Sequence, residues 1–312
     1  MFERMARPWR LATRVPPVTA SAEHPYPPLA LANRVCSLEG RGQPPLQAYE
    51  RFGGEARDAL LGLLPDNWSF AGKRVLDFGC GAGRTLRHFL PEAEAGAELW
   101  GVDIDAPSIT WLEENLCPPL HVRRGAPDPP LDFESGSFDL IWALSVFTHL
   151  TDSSLPWLLE LHRLLQPGGL LVASYMGRWV SEVFTGEPWD DDRVGMMVLR
   201  ADNPWDSGGP MVLMSDWWVA AHWGRVFEIE EVAPLVQGQS WAMMRRRDVQ
   251  LTTEDLERPE DDPREIHTLR HQLDAQAAQL DRVRREYESS ASWRVTRPLR
   301  TAAQRLRALR SR

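Results

Sequence analysis

Between residues 74 and 175, short apolar runs alternate with longer stretches whose apolar positions recur at helical spacing. "RVLDF" (74–78) is an apolar run stopped by glycines and predicts a buried parallel strand. "GRTLRHFL" predicts a helix closed by Pro91, "ELWGVDI" a second strand, and "APSITWLEENL" a second helix with Pro107 in its first turn. "LHVRRG" and "SFDLIWAL" follow as strands three and four. "TDSSLPWLLELHRLL" predicts a long amphipathic helix capped by Thr151, Asp152 or Ser153; "QPGG" reads as a turn and "LLVASY" as strand five. Strands and helices alternating at this pitch imply an α/β sheet with crossover helices.

The flanks have other rhythms. Residues 1–45 are proline-rich and read as an N-terminal arm, either loosely ordered or closing as a lid over a ligand. "LQAYERFGGEARDALLGLL" then has Leu46, Tyr49, Ala56, Leu60 and Leu63 at helical spacing. Residues 176–215 read as loop, with "RVFEIEEVAP" and "QSWAMMRRR" as a closing strand pair. Residues 248–263 read as a charged linker. In the segment 264–288, Ile266, Leu269, Leu273, Leu280, Val283 and Tyr287 form a coiled-coil seam, with Gln276 in one seam position. That seam points to a homo-oligomer, to packing within the chain, or to a partner protein.

Composition narrows the class. The 312 residues are 43% hydrophobic and 25% charged, a globular balance. The net charge of −9 is uneven: residues 289–312 hold seven arginines and no acid. An acidic body argues against nucleic acid as the partner. Cys36, Cys80 and Cys117 form no CxxC pair and read as reduced thiols of a cytoplasmic protein. No signal peptide or membrane-spanning run is evident.

The chemistry is carried by "VLDFGCGAGR", Val75 to Arg84. A strand ending in an acid and followed by Gly79, Gly81 and Gly83 suits a ligand lying against backbone amides and a helix N-terminus. A dinucleotide fingerprint would space the third glycine one residue later. Hydrophobic-Asp-x-Gly-x-Gly-x-Gly resembles the first motif of the class I S-adenosylmethionine (SAM) methyltransferases. Asp103 at the end of "WGVDID", the strand-four segment "SGSFDLIWALSVFTHL" and "LHRLLQPGGLLVASY" match that family in order and spacing over about residues 46–246.

The resemblance implies a Rossmann-like fold: a mostly parallel seven-stranded sheet with helices on both faces, over a domain 46–247, followed by a helical, coiled-coil tail. It implies SAM as cofactor. Gly79, Gly81 and Gly83 would admit its methionine part, Asp77 would fix the loop and meet its amino group, and Asp103 would take the ribose diol. Ile104 would touch the adenine, and Ser145 and Val146 would lie near the sulfonium. Asp105 is the alternative to Asp103, more suited to capping a helix. An acid reading the adenine amino group would align with Ala126 or Asp128.

An oxygen acceptor also calls for a base. His149, just past strand four, is the candidate; His162 on the long helix reads as surface or core, and His222 as a residue bordering the acceptor pocket. "WDDDR" reads as a solvated acidic loop, so no metal is expected. Trp179, Trp189, Trp205, Trp217, Trp218 and Trp223 fall where this fold inserts acceptor-binding elements, and read either as that surface or as a small aromatic core.

The segment 289–312 resembles a tail motif of bacterial surface-polysaccharide glycosyltransferases and their companion methyltransferases. The match is Ser290, Ser292, Trp293, Arg294, Thr296, Pro298, Leu299 and Arg300. Leu299, Ala302, Ala303, Leu306 and Leu309 would share one helical face opposite the arginines, which suits an anionic membrane surface. The reading is O-methylation of a sugar in a surface glycan or its precursor, at the inner face of the cell membrane beside a glycosyltransferase partner. The alternatives are a small-molecule acceptor or a non-catalytic scaffold of a glycan-assembly complex.

Overall fold

The computed structural model describes residues 24–35, 45–184, 186, 188–192, 194–201, 203, 209–259, 262–290, 293 and 296. The chain divides into two compact units, Met1–Glu260 and Asp261–Arg312.

The first unit opens with α1 (Leu29–Val35) and α2 (Pro45–Leu63). Then come β1 (Arg74–Phe78), α3 (Leu90–Glu94), β2 (Glu98–Asp103), α4 (Ala106–Asn115), β3 (His121–Arg124), β4 (Phe138–Ala143), α5 (Ser154–Leu164) and β5 (Leu165–Tyr175). It ends with α6 (Arg178–Phe184), β6 (Met196–Leu199), β7 (Met211–Met214), α7 (Asp216–His222), β8 (Phe227–Val236), β9 (Gln239–Arg246) and α8 (Thr253–Glu257).

Seven strands form one sheet in the order β3-β2-β1-β4-β5-β9-β8. β1 pairs in parallel with both β2 and β4, and β9 runs antiparallel to both of its neighbours. This is the Rossmann-like, mostly parallel seven-stranded sheet expected from the alternation of runs. Central strands alternate between two cores. Leu76, Ile141, Leu171 and Ala173 face α5 and α7, through Leu158, Leu161 and Val219. Val75, Leu140, Trp142 and Val172 face α2, α3 and α4, through Leu60, Leu90 and Leu112. With both faces covered, the strands must be apolar at nearly every position, as they are. Strand order reverses between β1 and β4, which opens a crevice beyond their carboxyl ends, the usual ligand position in such sheets.

Several local expectations change. Pro91 lies in the first turn of α3 rather than closing a helix. Ahead of it is a 3-10 turn, Leu86–Phe89, so the glycine loop does not open directly onto an α-helix. Pro lacks only an amide hydrogen that is unpaired in a first turn anyway, so it starts this helix. α5 begins after Ser153, whose side chain makes no capping bond. "QPGG" is an irregularity inside β5: pairing jumps from Phe138–Leu165 to Leu140–Leu170, with Gly168 at φ +74°.

Residues 176–215 hold α6 and a two-stranded ribbon of β6 and β7. Residues 248–263 contain α8, opened by a Thr252–Asp255 capping box, with Leu256 fully buried in the main core.

In the second unit, α9 (Pro263–Ser289) starts at Asp262, whose carboxylate accepts from the Arg264 amide at 2.9 Å. Ile266, Leu269, Leu273, Leu280, Val283 and Tyr287 are exposed along it. Nearly all of the basic tail lies outside the described residues. Among those residues no helix is long and apolar enough to cross a membrane.

α2 meets the segment after the glycine loop without room for a side chain. A Cβ on Gly53 would fall 2.1 Å from the Arg84 carbonyl oxygen, while one on Gly62 in the same helix would meet nothing within 4 Å. Gly53→Val therefore destabilises by about 1–3 kcal/mol, lowering Tm by roughly 3–10 °C. Gly62→Ala leaves Tm unchanged or raises it slightly through helix propensity. Thermal melts of the pair check this.

Candidate functional site

The loop after β1 is pinned before any ligand is considered. The Gly79 and Cys80 amides both donate to the Val102 carbonyl on β2, at 2.8 and 3.1 Å. Gly79, Gly81 and Gly83 sit at φ +81°, +53° and +79°, in the left-handed region that glycine enters without strain. A Cβ on Gly79 would lie 2.3 Å from Val146 Cγ2, and one on Gly83 would lie 2.7 Å from Leu112 Cδ2. The space beside these two glycines is thus taken by protein. They let the loop pack against the β4 end and α4, a role that the motif alone did not separate from ligand approach.

Asp103 sits at the end of β2, next to that loop. Its Oδ2 accepts from the Gly81 amide at 2.7 Å and its Oδ1 from the Asp105 amide at 2.8 Å. Burial pushes its carboxyl up from the usual carboxylate range, and the two amides pull it back down. Each oxygen keeps a second lone pair. A braced carboxylate with one acceptor site per oxygen is the chemistry that binds a vicinal diol, so these residues fit a ribose. The next residue, Ile104, is a large apolar side chain 45% exposed, consistent with a flat ring resting there. Asp105 is committed elsewhere: it caps α4 by accepting from the Ser108 amide at 3.2 Å, and it pairs with Arg34. Ala126 and Asp128 are both exposed on the loop after β3.

Asp77 is 3% exposed on β1. Burial pushes its carboxyl up to about 7, opposed by the Trp142 side chain and reinforced by the Asp103 charge. The Arg84 charge also pulls it down without offsetting burial, and an ammonium group set against it would lower that cost.

The end of β4 completes the crevice. Ser145 is held at φ +60°, which is unusual for a residue with a Cβ. Its amide donates to Ser174 Oγ at 2.7 Å, and its Oγ accepts from Gln239 Nε2 at 2.8 Å. Val146 packs on Gly79, as above. The His149 Nδ1 lies 2.7 Å from the Pro210 carbonyl. A carbonyl can only accept, so Nδ1 carries the proton and Nε2 is the basic nitrogen. Burial pushes the ring below the usual histidine range, and the Pro210 bond opposes this.

Other candidates are occupied structurally. His162 bonds the Arg247 carbonyl at 2.9 Å and meets Phe227 edge-on. His222 is buried, stacks on Trp218 and bonds the Leu256 carbonyl at 2.6 Å, so it seats α8 instead of facing an acceptor. Trp218 and Trp223 are in the main core, while Trp189 belongs to a small cluster with Val180, Val194, Met197 and Leu213, against which Trp179 packs. Trp205 lies outside the described residues. Asp191 is paired with Arg178 at 2.6 Å, and no metal-holding group of acids, histidines or cysteines occurs among the described residues.

The described part of the N-terminal arm borders the loop. Arg87 stacks over Tyr26 at 4.4 Å and donates to the carbonyls of His24 and Pro25, both at 3.2 Å. Tyr49 on α2 donates to the Ala82 carbonyl at 2.7 Å. Ser174, Gln239 and Tyr49 carried no motif signal, because each reaches the site from a distant part of the chain.

Comparison with known proteins agrees with this geometry. Residues 76–173 match a methyltransferase domain family. The chain is 31% identical over 137 residues to malonyl-[acyl-carrier protein] O-methyltransferase of Enterobacter lignolyticus, a match covering 44% of this chain and 51% of that protein. It is also 31% identical over 114 residues to the ubiquinone biosynthesis O-methyltransferase of Maricaulis maris, over 35% of this chain and 42% of that protein. The chain thus spans about half the length of these relatives. A SAM-dependent methyltransferase structure from Mesorhizobium loti superposes with TM-score 0.47 and 19% identity, over 61% of this chain and 96% of that one.

Two measurements test the carboxylates. Asp103→Ala should weaken SAM binding by about 1.5–3 kcal/mol, the scale of hydrogen bonds to a charged group. Asp77 is largely protonated at pH 6 in the free protein, and an ammonium ligand requires the carboxylate. Binding then releases close to one proton at pH 6 and little at pH 8, as read by calorimetry in buffers of different ionisation enthalpy. Because folding raises this pKa from 3.8 to about 7, the cost to the fold is absent below the lower value, grows between the two and is fully present above the higher one. Asp77→Asn should raise Tm more at pH 8 than near pH 5.

Proposed function

We propose that this chain, which carries a methyltransferase domain with S-adenosylmethionine as its cofactor, transfers a methyl group to an oxygen acceptor with His149 as general base. The observation that carries the reading is Asp103, braced by two backbone amides at the mouth of the strand-order reversal and left with one acceptor site on each oxygen. When bound, the cofactor supplies an electrophilic methyl on a sulfonium. The protein's part is then alignment and exclusion of water. Asp103 takes the ribose hydroxyls, Gly81 holds Asp103, and Ile104 covers the adenine. Asp77 neutralises the ammonium, and Ser145 and Val146 border the reacting end. His149 Nε2 accepts the acceptor's proton, and its ring is neutral at pH 7 because burial keeps it below the usual histidine range.

Two acceptor classes have separate support. The tail motif, with seven arginines and no acid, favours a sugar hydroxyl on a lipid-linked glycan precursor at an anionic inner membrane surface, beside a glycosyltransferase. The relatives' names, O-methyltransferases of ubiquinone biosynthesis among them, favour a small-molecule hydroxyl. A scaffold without catalysis would need no braced Asp103. The exposed seam on α9 supports self-association through that helix.

His149→Ala should bind SAM about as tightly as the wild type and lose about 10²–10⁴ in turnover. In the wild type, activity should fall as pH drops through a midpoint below the usual histidine range, and this limb should vanish in the variant. Unchanged turnover would remove His149 from the mechanism. Labelled-methyl transfer to extracted glycolipid and to a soluble quinol separates the acceptors. In the glycan reading, the full chain sediments with anionic liposomes at low salt and is released by high salt, and a chain ending at Ser289 does neither.

A further inference from the structure

Ser145 and Gln239 meet in a contact that costs both of them. Ser145 stands two residues past the end of β4 at φ +60°, where a residue with a Cβ is strained. Two distant groups hold it there. Its amide donates to Ser174 Oγ on β5 at 2.7 Å, and its Oγ accepts from Gln239 Nε2, at the start of β9, at 2.8 Å. Ser174 is fully buried, so that anchor is fixed. Gln239 gains one bond and leaves its Oε1 buried without a partner among the described residues. An unpaired buried acceptor is a penalty to the fold. A strained residue fastened by an under-bonded amide is not what stability alone would select, and such places gather at functional sites.

The direction of the Gln239 bond decides what Ser145 can do. An amide nitrogen only donates, so the Ser145 oxygen spends a lone pair on it and keeps its own proton to give. No group among the described residues accepts that proton. Val146, the next residue, packs on Gly79 of the glycine loop, and the His149 amide donates to the Val146 carbonyl at 2.9 Å. Ser145 thus leads into the tight turn that ends at His149. An attacking hydroxyl oxygen carries one hydrogen and two lone pairs. With its hydrogen given to His149 and one lone pair held by a donor, a single lone pair is left to face the methyl carbon, which fixes the line of attack. An amine nitrogen has one lone pair, and a donor on it would block the attack.

We infer that the Ser145 hydroxyl donates to the acceptor oxygen that is methylated, and that Gln239 is the positioning residue that aims it. The oxygen–carbon bond forms as the carbon–sulfur bond breaks, and that bonding pair leaves on sulfur. The acceptor's proton passes to His149, and Ser145 keeps its own. The site then selects alcohol or phenol oxygens over amine nitrogens. The inference rests on the oxygen-acceptor reading above and adds two residues to it.

The test uses three variants of the full chain. Each is read by labelled-methyl transfer to extracted glycolipid and to a soluble quinol at pH 8, by calorimetry with S-adenosylhomocysteine, and by melting. Ser145→Ala should lower kcat about 10–100-fold and bind S-adenosylhomocysteine within about twofold of wild type. Gln239→Leu removes the amide at similar size. It should melt no lower than the wild type and still lose kcat, a split that a merely structural contact would not show. Gln239→Glu keeps the shape, but its carboxylate only accepts, so it captures the Ser145 proton. Its kcat should fall as far as that of Ser145→Ala. Unchanged turnover in Ser145→Ala or in Gln239→Glu overturns the inference. So does a loss of turnover matched by an equal loss of S-adenosylhomocysteine binding, or a lower Tm in Gln239→Leu. If the wild type methylates neither acceptor, the oxygen-acceptor reading falls and takes the inference with it.

Discussion

Two carboxylates near the ends of neighbouring parallel strands, one buried and one half-buried, set the terms for everything around them. Asp77 stands one residue before the end of β1 and Asp103 ends β2, where the charged form is disfavoured. Such groups persist only with partners. Asp103 has two protein partners, the amides of Gly81 and Asp105, so the shape of the glycine loop and the start of α4 both follow from its needs. Asp77 has too little, and its demand is left for a ligand to meet. The loop conformation, the tight seat of α2 and the place of the strand-order reversal are arrangements that make this pairing of a satisfied and an unsatisfied acid possible.

The glycine pattern therefore has a double origin. Gly79 and Gly83 are required by Val146 and Leu112, that is, by packing across the sheet ends. The Gly81 amide braces Asp103. A motif usually read as the imprint of a ligand is here largely the imprint of the fold that prepares the ligand's place.

Much of this was legible in the chain. Both-face burial made β1, β4 and β5 continuous apolar runs, and Asp105 with Pro107 marked the start of α4. What escaped notice had physical reasons. "MMVL" and "MVLM" are too short to show a period, so β6 and β7 passed as loop. "QPGG" carries every turn signal, yet β5 absorbs it as an irregularity because Leu165 and Leu170 both pair with β4. α8 is a single short turn within acidic residues, betrayed only by Leu256 and its capping box. In the site, Asp77, Asp103 and the glycines announced themselves by adjacency. Ser174 and Gln239 reach Ser145 through tertiary position, which no local pattern encodes. His222 had the right residue type but points to α8.

The bond from Gln239 to Ser145 reaches further than its length suggests. Ser145 holds a backbone conformation that residues with a side chain rarely adopt, and the group fastening its hydroxyl comes from the start of β9. The same turn also fastens α2, through Gln237 to the Phe52 carbonyl at 2.8 Å, and clasps Trp179 against Gly238. The hairpin is thus a keystone joining the loop end of β4, the helix behind the glycines and the inserted aromatic cluster. Changes in residues 176–215 are therefore not local: one that shifted Trp179 would tug the hairpin and, through Gln239, the left-handed Ser145. A push on Trp179 is therefore felt at Phe52 and at Ser145 through one short turn, so the three behave mechanically as one piece.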